Sequence, residues 1–150
     1  MKLAPQETRT YFITTVTANR RRLFQVEQAA NLMLDVLRHY RAQNRLALHA
    51  FVIMPDHLHL LLTPARDVSL EKAMQFVKGG FSFRLESKRE VWERSFNEAQ
   101  VRSAEKFYAC KRYIEENPVR ARLAPSPQEY PYSSSFCEEV DPIPIHFLRN

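Results

Sequence analysis

Residues 49–62 read His49-Ala-Phe-Val-Ile-Met-Pro-Asp-His57-Leu-His59-Leu-Leu-Leu62, two apolar runs interrupted by Pro55-Asp56. Proline followed by aspartate suits a tight turn, so residues 46–54 and 57–63 read as the two strands of an antiparallel hairpin. Side chains two apart in a strand share a face. His57 and His59 therefore project together, and Leu58, Leu60 and Leu62 project the other way. The leucines suit a face covered by helices, which leaves the two imidazoles on the opposite face, about 7 Å apart along the strand and able to converge on one metal ion. A bare His-x-His more often means two partly buried strand histidines satisfied by hydrogen bonds.

On the N-terminal side, residues 10–17 (TYFITTVT) are aromatic and β-branched and predict a first strand. The basic run Arg20-Arg21-Arg22 follows in a loop. Val26, Ala29, Ala30, Met33, Leu34, Leu37 and Tyr40 then recur at helical spacing, which predicts a helix over 26–43. On the C-terminal side, Ser69 is a candidate N-cap for a second helix reaching residue 88, with Gly79-Gly80 expected to weaken or bend it. Residues 91–96 and 99–102 read as short strand pieces. Ser103 caps a third helix through Asn117, and Pro118 is expected to end it, because the residue before proline avoids helical geometry.

The order is β-α-β-β-α-β-α. Its first six elements make an α+β, ferredoxin-like (βαββαβ) antiparallel sheet with two helices on one face. The third helix is free to lie against the other face. On that helix Tyr113 and Asn117 are four apart and share a side. An amide oxygen from Asn117 can complete a mixed nitrogen and oxygen site with His57 and His59, and Tyr113 would then sit one turn from the ion. Tyr113 as a packing residue and Asn117 as an ordinary helix-end residue remain open on this reading.

The chain has 150 residues, enough for one core without staples. Its net charge of +5 is unevenly distributed. Residues 1–125 carry 21 of the 22 bases and 13 of the 17 acids, while residues 126–150 carry one base and four acids. We therefore divide the chain into a functional domain, 1–125, and a proline-rich acidic tail, 126–150. A basic body favours a polyanionic partner, although a solvated basic surface has equal claim. The acidic tail is expected to fold over the basic active face and restrain it. Cys110 and Cys137 are too few for a disulfide framework and read as reduced thiols. Residues 1–5 lack the apolar run of a signal peptide, and no stretch is long enough to span a membrane, so a cytoplasmic location is expected.

Taken together, two segments resemble a known family. MPDHLHLLL at 54–62 and YIEENPVRA at 113–121, with VWERSFNE at 91–98 between them, look like the single-tyrosine HUH transposases. The resemblance is specifically to the REP-associated tyrosine transposases of bacteria, and it runs from about Tyr11 to Ala124. It implies that His57, His59 and Asn117 bind a divalent ion, Mg²⁺ or Mn²⁺, and that Tyr113 is the nucleophile. The implied activity is cleavage and rejoining of single-stranded or hairpin DNA through a 5′-phosphotyrosine, in the bacterial cytoplasm at the nucleoid, by a monomer or homodimer. The sequence departs from the family at Ala99, where histidine is frequent, and at Arg122, where glycine is usual.

Candidates for DNA-backbone contact are Arg20, Arg21, Arg22, Lys78, Arg84, Arg94, Arg102 and Arg120, with Trp92 and Phe96 for base stacking. For each of these a solvated charge or a core position is an equal reading. The alternatives from other classes are a non-catalytic single-stranded nucleic-acid binder, a transposase that binds without cutting, and a hydrolase with His57 and His59 on zinc.

Overall fold

Leu58, Leu60 and Leu62 are fully buried on one side of the sheet, together with Ile13, Phe51 and Ile53, and two helices cover that side. Each fully buried leucine contributes about 1.5–3 kcal/mol, which makes this the side that fixes the strand register. The computed structural model describes residues 8–149. Residues 1–5, considered above for a leader, lie outside the described residues.

The elements are β1 (Thr10–Val16), α1 (Glu27–Ala42), β2 (Leu46–Met54), β3 (His57–Pro64), α2 (Leu70–Leu85), β4 (Asn97–Val101), α3 (Ala104–Arg120) and a short α4 (Ser134–Cys137). The sheet is antiparallel in the order β2-β3-β1-β4. This is the expected α+β, ferredoxin-like arrangement. α1 and α2 pack on the leucine face, and α3 packs on the other through Phe107, Cys110 and Ile114 against Ala50, Val52 and Leu61. Among the described residues no helix is long and apolar enough to cross a membrane. Cys110 and Cys137 are both free thiols.

In β2 the register shifts between Leu48 and Ala50. Leu46 and Leu48 face the helices before the shift, and Phe51 and Ile53 face them after it. One extra residue reverses the alternation, which is why this strand shows no clean period of two.

Several boundaries differ from the sequence reading. α2 ends at Leu85 rather than at 88, because Glu86 adopts the left-handed conformation at φ 55°. The helix runs through Gly79-Gly80. A Cβ on Gly80 would lie 2.8 Å from the Tyr40 ring, so glycine there permits α1 and α2 to approach closely. Residues 91–96 are not a strand, since only Trp92 forms a bridge, to Thr17.

α3 does not stop at Asn117 but includes Pro118 in its last turn. A proline so near the end removes a single backbone bond, and its ring is buried. The terminus is closed by Ala121 N–H donating to the Asn117 carbonyl at 3.0 Å and Leu123 N–H to that of Pro118 at 2.8 Å. Arg122 then turns the chain with φ 60°, a left-handed position natural to glycine.

The tail does not lie over the His57–His59 pair as expected. It runs along the outer edge of β2. Ile53 N–H donates to the Tyr132 carbonyl at 2.8 Å, and Asp141 N–H to that of Leu48 at 2.7 Å. The Tyr130 hydroxyl donates to the Ile53 carbonyl at 2.7 Å. Two of its acids pair with α1, Glu139 with Arg38 at 3.2 Å and Asp141 with Arg41 at 3.0 Å. The physical reason is the edge itself, whose unpaired N–H and C=O groups need partners.

Candidate active site

The α3 face of the sheet is where β3, β1 and the last two turns of α3 meet. Alternation along β3 puts His57 and His59 on this face, opposite the leucines, as their spacing predicts. Their rings stand edge to face with centroids 4.8 Å apart. α3 is held down by Ile114, fully buried, and this presents the neighbouring Tyr113, 46% exposed, above the sheet. The Tyr113 ring lies 5.5 Å from that of His59. Asn117, half-buried, follows one turn later, about 6 Å further along the helix axis.

The hydrogen bonds of the two histidines decide which nitrogen is free. His57 Nδ1 lies 2.7 Å from Asp56 Oδ1. Burial opposes ionisation of Asp56, but the bond to His57 and the Arg20 guanidinium, 3.3 Å away, outweigh it and hold the carboxyl below its usual range. A carboxylate only accepts, so His57 carries a proton on Nδ1, and the neutral ring then has its lone pair on Nε2. His59 Nδ1 lies 2.9 Å from Thr14 Oγ1. The tautomer that donates to Thr14 likewise leaves Nε2 open. Burial pushes His59 down to about 4, with the charges of His57 and Arg120 acting in the same direction, so its ring is neutral at pH 7. In their neutral forms the two imidazoles, each oriented by a hydrogen bond to its other nitrogen, are a donor pair suited to a divalent ion.

Among the described residues no three His, Cys, Asp or Glu side chains cluster to hold a metal. An ion at this pair therefore needs oxygen donors of another kind. The Asn117 amide is the candidate the sequence supplies, and a mixed nitrogen and oxygen set suits Mn²⁺ and accommodates Mg²⁺.

Three residues of the site were not singled out in the sequence. Phe12 stacks on His59 at 5.5 Å and meets Tyr113 edge-on at 5.8 Å, so it supports both rings from β1. Thr14 and Asp56 orient the histidines. Asp56 had a visible signal, since it directly precedes His57. Phe12 and Thr14 had none until the pairing of Thr14 with His59 across β1 and β3 was known. Ala99 pairs with Phe12 across β1 and β4, on this same face.

The candidate DNA contacts separate into groups. Arg120 lies with its guanidinium 4.4 Å over the Tyr113 ring and donates to the Tyr113 carbonyl at 2.9 Å. Arg20 borders the site through Asp56. Arg22, Arg94 and Arg102 are exposed, and Arg21 donates to the Glu90 carbonyl. Lys78 and Arg84 belong to α2, on the far side of the sheet. Lys78 donates to the Glu93 carbonyl at 2.9 Å, with its ammonium 5.8 Å over Phe96. Trp92 is a core residue, 9% exposed, packed with Phe24 and Phe81 and donating from its indole to the Lys78 carbonyl at 3.0 Å. Its faces are occupied by other rings, which removes it from base stacking.

A family model described as "Transposase IS200 like" matches residues 6–117. No curated protein matches the chain. Among solved structures the chain is similar to a REP-associated tyrosine transposase bound to a REP hairpin. That likeness has 21% identity and a TM-score of 0.76, and covers 95% of this chain and 88% of the other. The chain is also similar to a protein of Deinococcus radiodurans R1 described as a transposase, with 26% identity and a TM-score of 0.56, over 77% of this chain and 97% of the other.

Proposed function

Since this chain belongs to the IS200-like transposase family, we propose that it cuts and rejoins single-stranded DNA with Tyr113 as nucleophile and a divalent ion held by His57, His59 and Asn117. The observation that carries this reading is the approach of the Tyr113 ring to the His57–His59 pair, whose Nδ1 atoms are taken up by Asp56 and Thr14. A bound ion supplies Lewis-acid polarisation of a non-bridging phosphate oxygen.

The chain's own residues do the rest. Phe12 and Arg120 hold the Tyr113 ring from two sides. Tyr113 Oη attacks phosphorus, the Oη–P bond forms and the P–O3′ bond breaks. The phenolic proton leaves to solvent and the departing O3′ takes one up, which gives a 5′-phosphotyrosine and a free 3′-hydroxyl. Because the phosphodiester energy is kept in that linkage, a second 3′-hydroxyl reverses the step and rejoins strands. Hairpin DNA is the substrate class this reading favours, given the hairpin bound by the similar solved transposase. Residues 1–125 form the working domain, and 126–150 serve to close the β2 edge.

The test is incubation with end-labelled hairpin DNA and Mn²⁺, followed by denaturing electrophoresis. A labelled band at protein mass, absent in Tyr113→Phe and abolished by EDTA, supports the reading. Cutting without an adduct overturns it in favour of hydrolysis by water.

One observation favours a second reading, DNA binding without cutting. Ala99 stands beside Phe12 on the site's face, where the family resemblance leads one to expect histidine. Binding without adduct, restored to cleavage by Ala99→His, would establish that reading.

A further inference from the structure

The opposite face of the molecule carries a groove that the cleavage site does not use. It lies between the end of α1 and the outer side of α2, with a volume of about 440 Å³, and Tyr40, Phe76, Phe83, Lys72 and Arg84 line it. Tyr40 and Phe76 stack with centroids 5.2 Å apart and planes 14° from parallel. Phe83 is 83% exposed, the most exposed of the large hydrophobic residues described. A phenylalanine so placed on a helix contributes nothing to the core beneath it.

The charges around these rings are all of one sign. The Lys72 ammonium stands 5.4 Å over Phe76, the Arg45 guanidinium 5.5 Å over the same ring, and the Arg84 guanidinium 5.9 Å over Tyr40. No carboxylate lines the groove. Arg84 Nη1 is buried without a hydrogen-bond partner, a donor left unsatisfied beside the groove. The floor is Gly79-Gly80. Gly80 lets the Tyr40 ring lie against α2, whereas a Cβ on Gly79 would meet nothing within 4 Å, so that position contributes only open space.

One exposed ring, Phe83, beside two half-buried rings that carry cations matches the chemistry of single-stranded nucleic acid, with bases stacking on aromatic faces and phosphates meeting Lys and Arg. We propose that this α1–α2 groove binds a single-stranded stretch of the DNA substrate away from the cut site, with Phe83 as the stacking platform and Lys72 and Arg84 as phosphate contacts. The proposal rests on the DNA-cutting reading and adds a second site to it. The sheet separates the two, so a strand engaging both must pass around the molecule's edge.

The test compares two labelled probes on the full chain, a DNA hairpin with a long oligo(dT) flank and the same hairpin without it. Phe83→Ala removes the platform. Gly79→Gln fills the floor at an exposed helical position, where any residue better than glycine strengthens the helix, so lost binding there is not lost folding. Both variants are expected to weaken binding of the flanked hairpin by about tenfold, the scale of one lost stacked base, and to leave the bare hairpin unaffected. A 5-iodouracil in the flank should crosslink to the peptide carrying Phe83. If wild type binds both probes and neither variant changes the flanked one, the groove proposal is overturned while the transposase reading stands, and a protein partner becomes the occupant to seek. If wild type binds neither probe, both readings fall.

Discussion

Thr14 Oγ1 lies 2.9 Å from Nδ1 of His59, across the paired strands β1 and β3, and this contact determines which ring nitrogen faces the open side of the sheet. Removing the hydroxyl leaves the imidazole free to rotate or change tautomer. Thr14→Val, which preserves shape in a half-buried strand position, is expected to weaken metal affinity or cleavage by about 10–100-fold. Titration of cleavage against Mn²⁺ reads this directly. An unshifted Mn²⁺ midpoint with full activity would show that the hydroxyl does not orient a ligand.

Arg120 makes two contacts with Tyr113, its guanidinium over the ring at 4.4 Å and a hydrogen bond to the carbonyl at 2.9 Å. An exposed cation–π contact is worth about 0.5–1 kcal/mol, enough to bias the ring without locking it. Arg120→Ala should slow cleavage of bound DNA several-fold. If the guanidinium also meets a phosphate, the slope of log affinity against log salt should fall by about one unit. A reduced salt slope with unchanged single-turnover cleavage would make Arg120 a DNA contact alone.

Trp92 should behave as a core residue. Its ring packs with Phe24 and Phe81, and its indole N–H is satisfied by the Lys78 carbonyl. Trp92→Ala is expected to cost about 3–5 kcal/mol in urea unfolding, while whatever fraction stays folded binds DNA as before. A stable variant with lost DNA affinity would return Trp92 to the surface role its sequence context suggested.

What the sequence disclosed and what it concealed follow from how each feature is encoded. His57 and His59 were legible because a strand's period of two assigns faces without knowledge of the fold, and Ser69 and Ser103 because a cap is a local hydrogen bond. Both do accept from the N–H three residues on. Phe12 was not legible, since an aromatic in a strand has two possible faces and only the β1–β3 register chooses between them. Pro118 misled because one lost bond near a helix end costs less than the burial of its ring returns. The tail gave no signal because its anchoring side chains, Tyr130, Ser134 and Asp141, meet backbone groups of the β2 edge at no regular spacing.

Arg122 occupies a position that favours glycine, at φ 60° immediately after the α3 terminus. An L-residue there is strained by roughly 1–2 kcal/mol, partly offset by glycine's greater freedom when unfolded. Arg122→Gly is therefore expected to raise stability by about 0.5–1 kcal/mol, seen as a higher urea midpoint with an unchanged m-value. A lower midpoint would mean that the arginine side chain makes up for its backbone.

The attachment of the tail should depend on pH through His49. Its Nδ1 lies 3.1 Å from the Asp141 carbonyl, an acceptor only, so the proton is on Nδ1 and the Thr63 hydroxyl donates to Nε2 at 2.8 Å. Thr10 lies 2.7 Å from Thr63 and completes a buried chain from β1 to the tail. Phe107 of α3 stands edge-on to the ring at 5.2 Å, and the charges nearest the chain's tail end are Asp141 and its partner Arg41. Burial lowers the His49 pKa, against the opposing pull of Asp141. Below its unfolded value of 6.5, the unfolded chain takes up a proton here before the folded one does. This contribution to stability is therefore complete above that pH and is lost as pH falls towards the folded value. His59 acts in the same direction, and Asp141, held low against burial mainly by Arg41 and the Leu48 N–H, adds its own loss only below 3.8. In His49→Gln the urea midpoint should fall less between about pH 7 and pH 5 than in wild type. Equal slopes in the two proteins would mean that protonation of His49 does not loosen the tail.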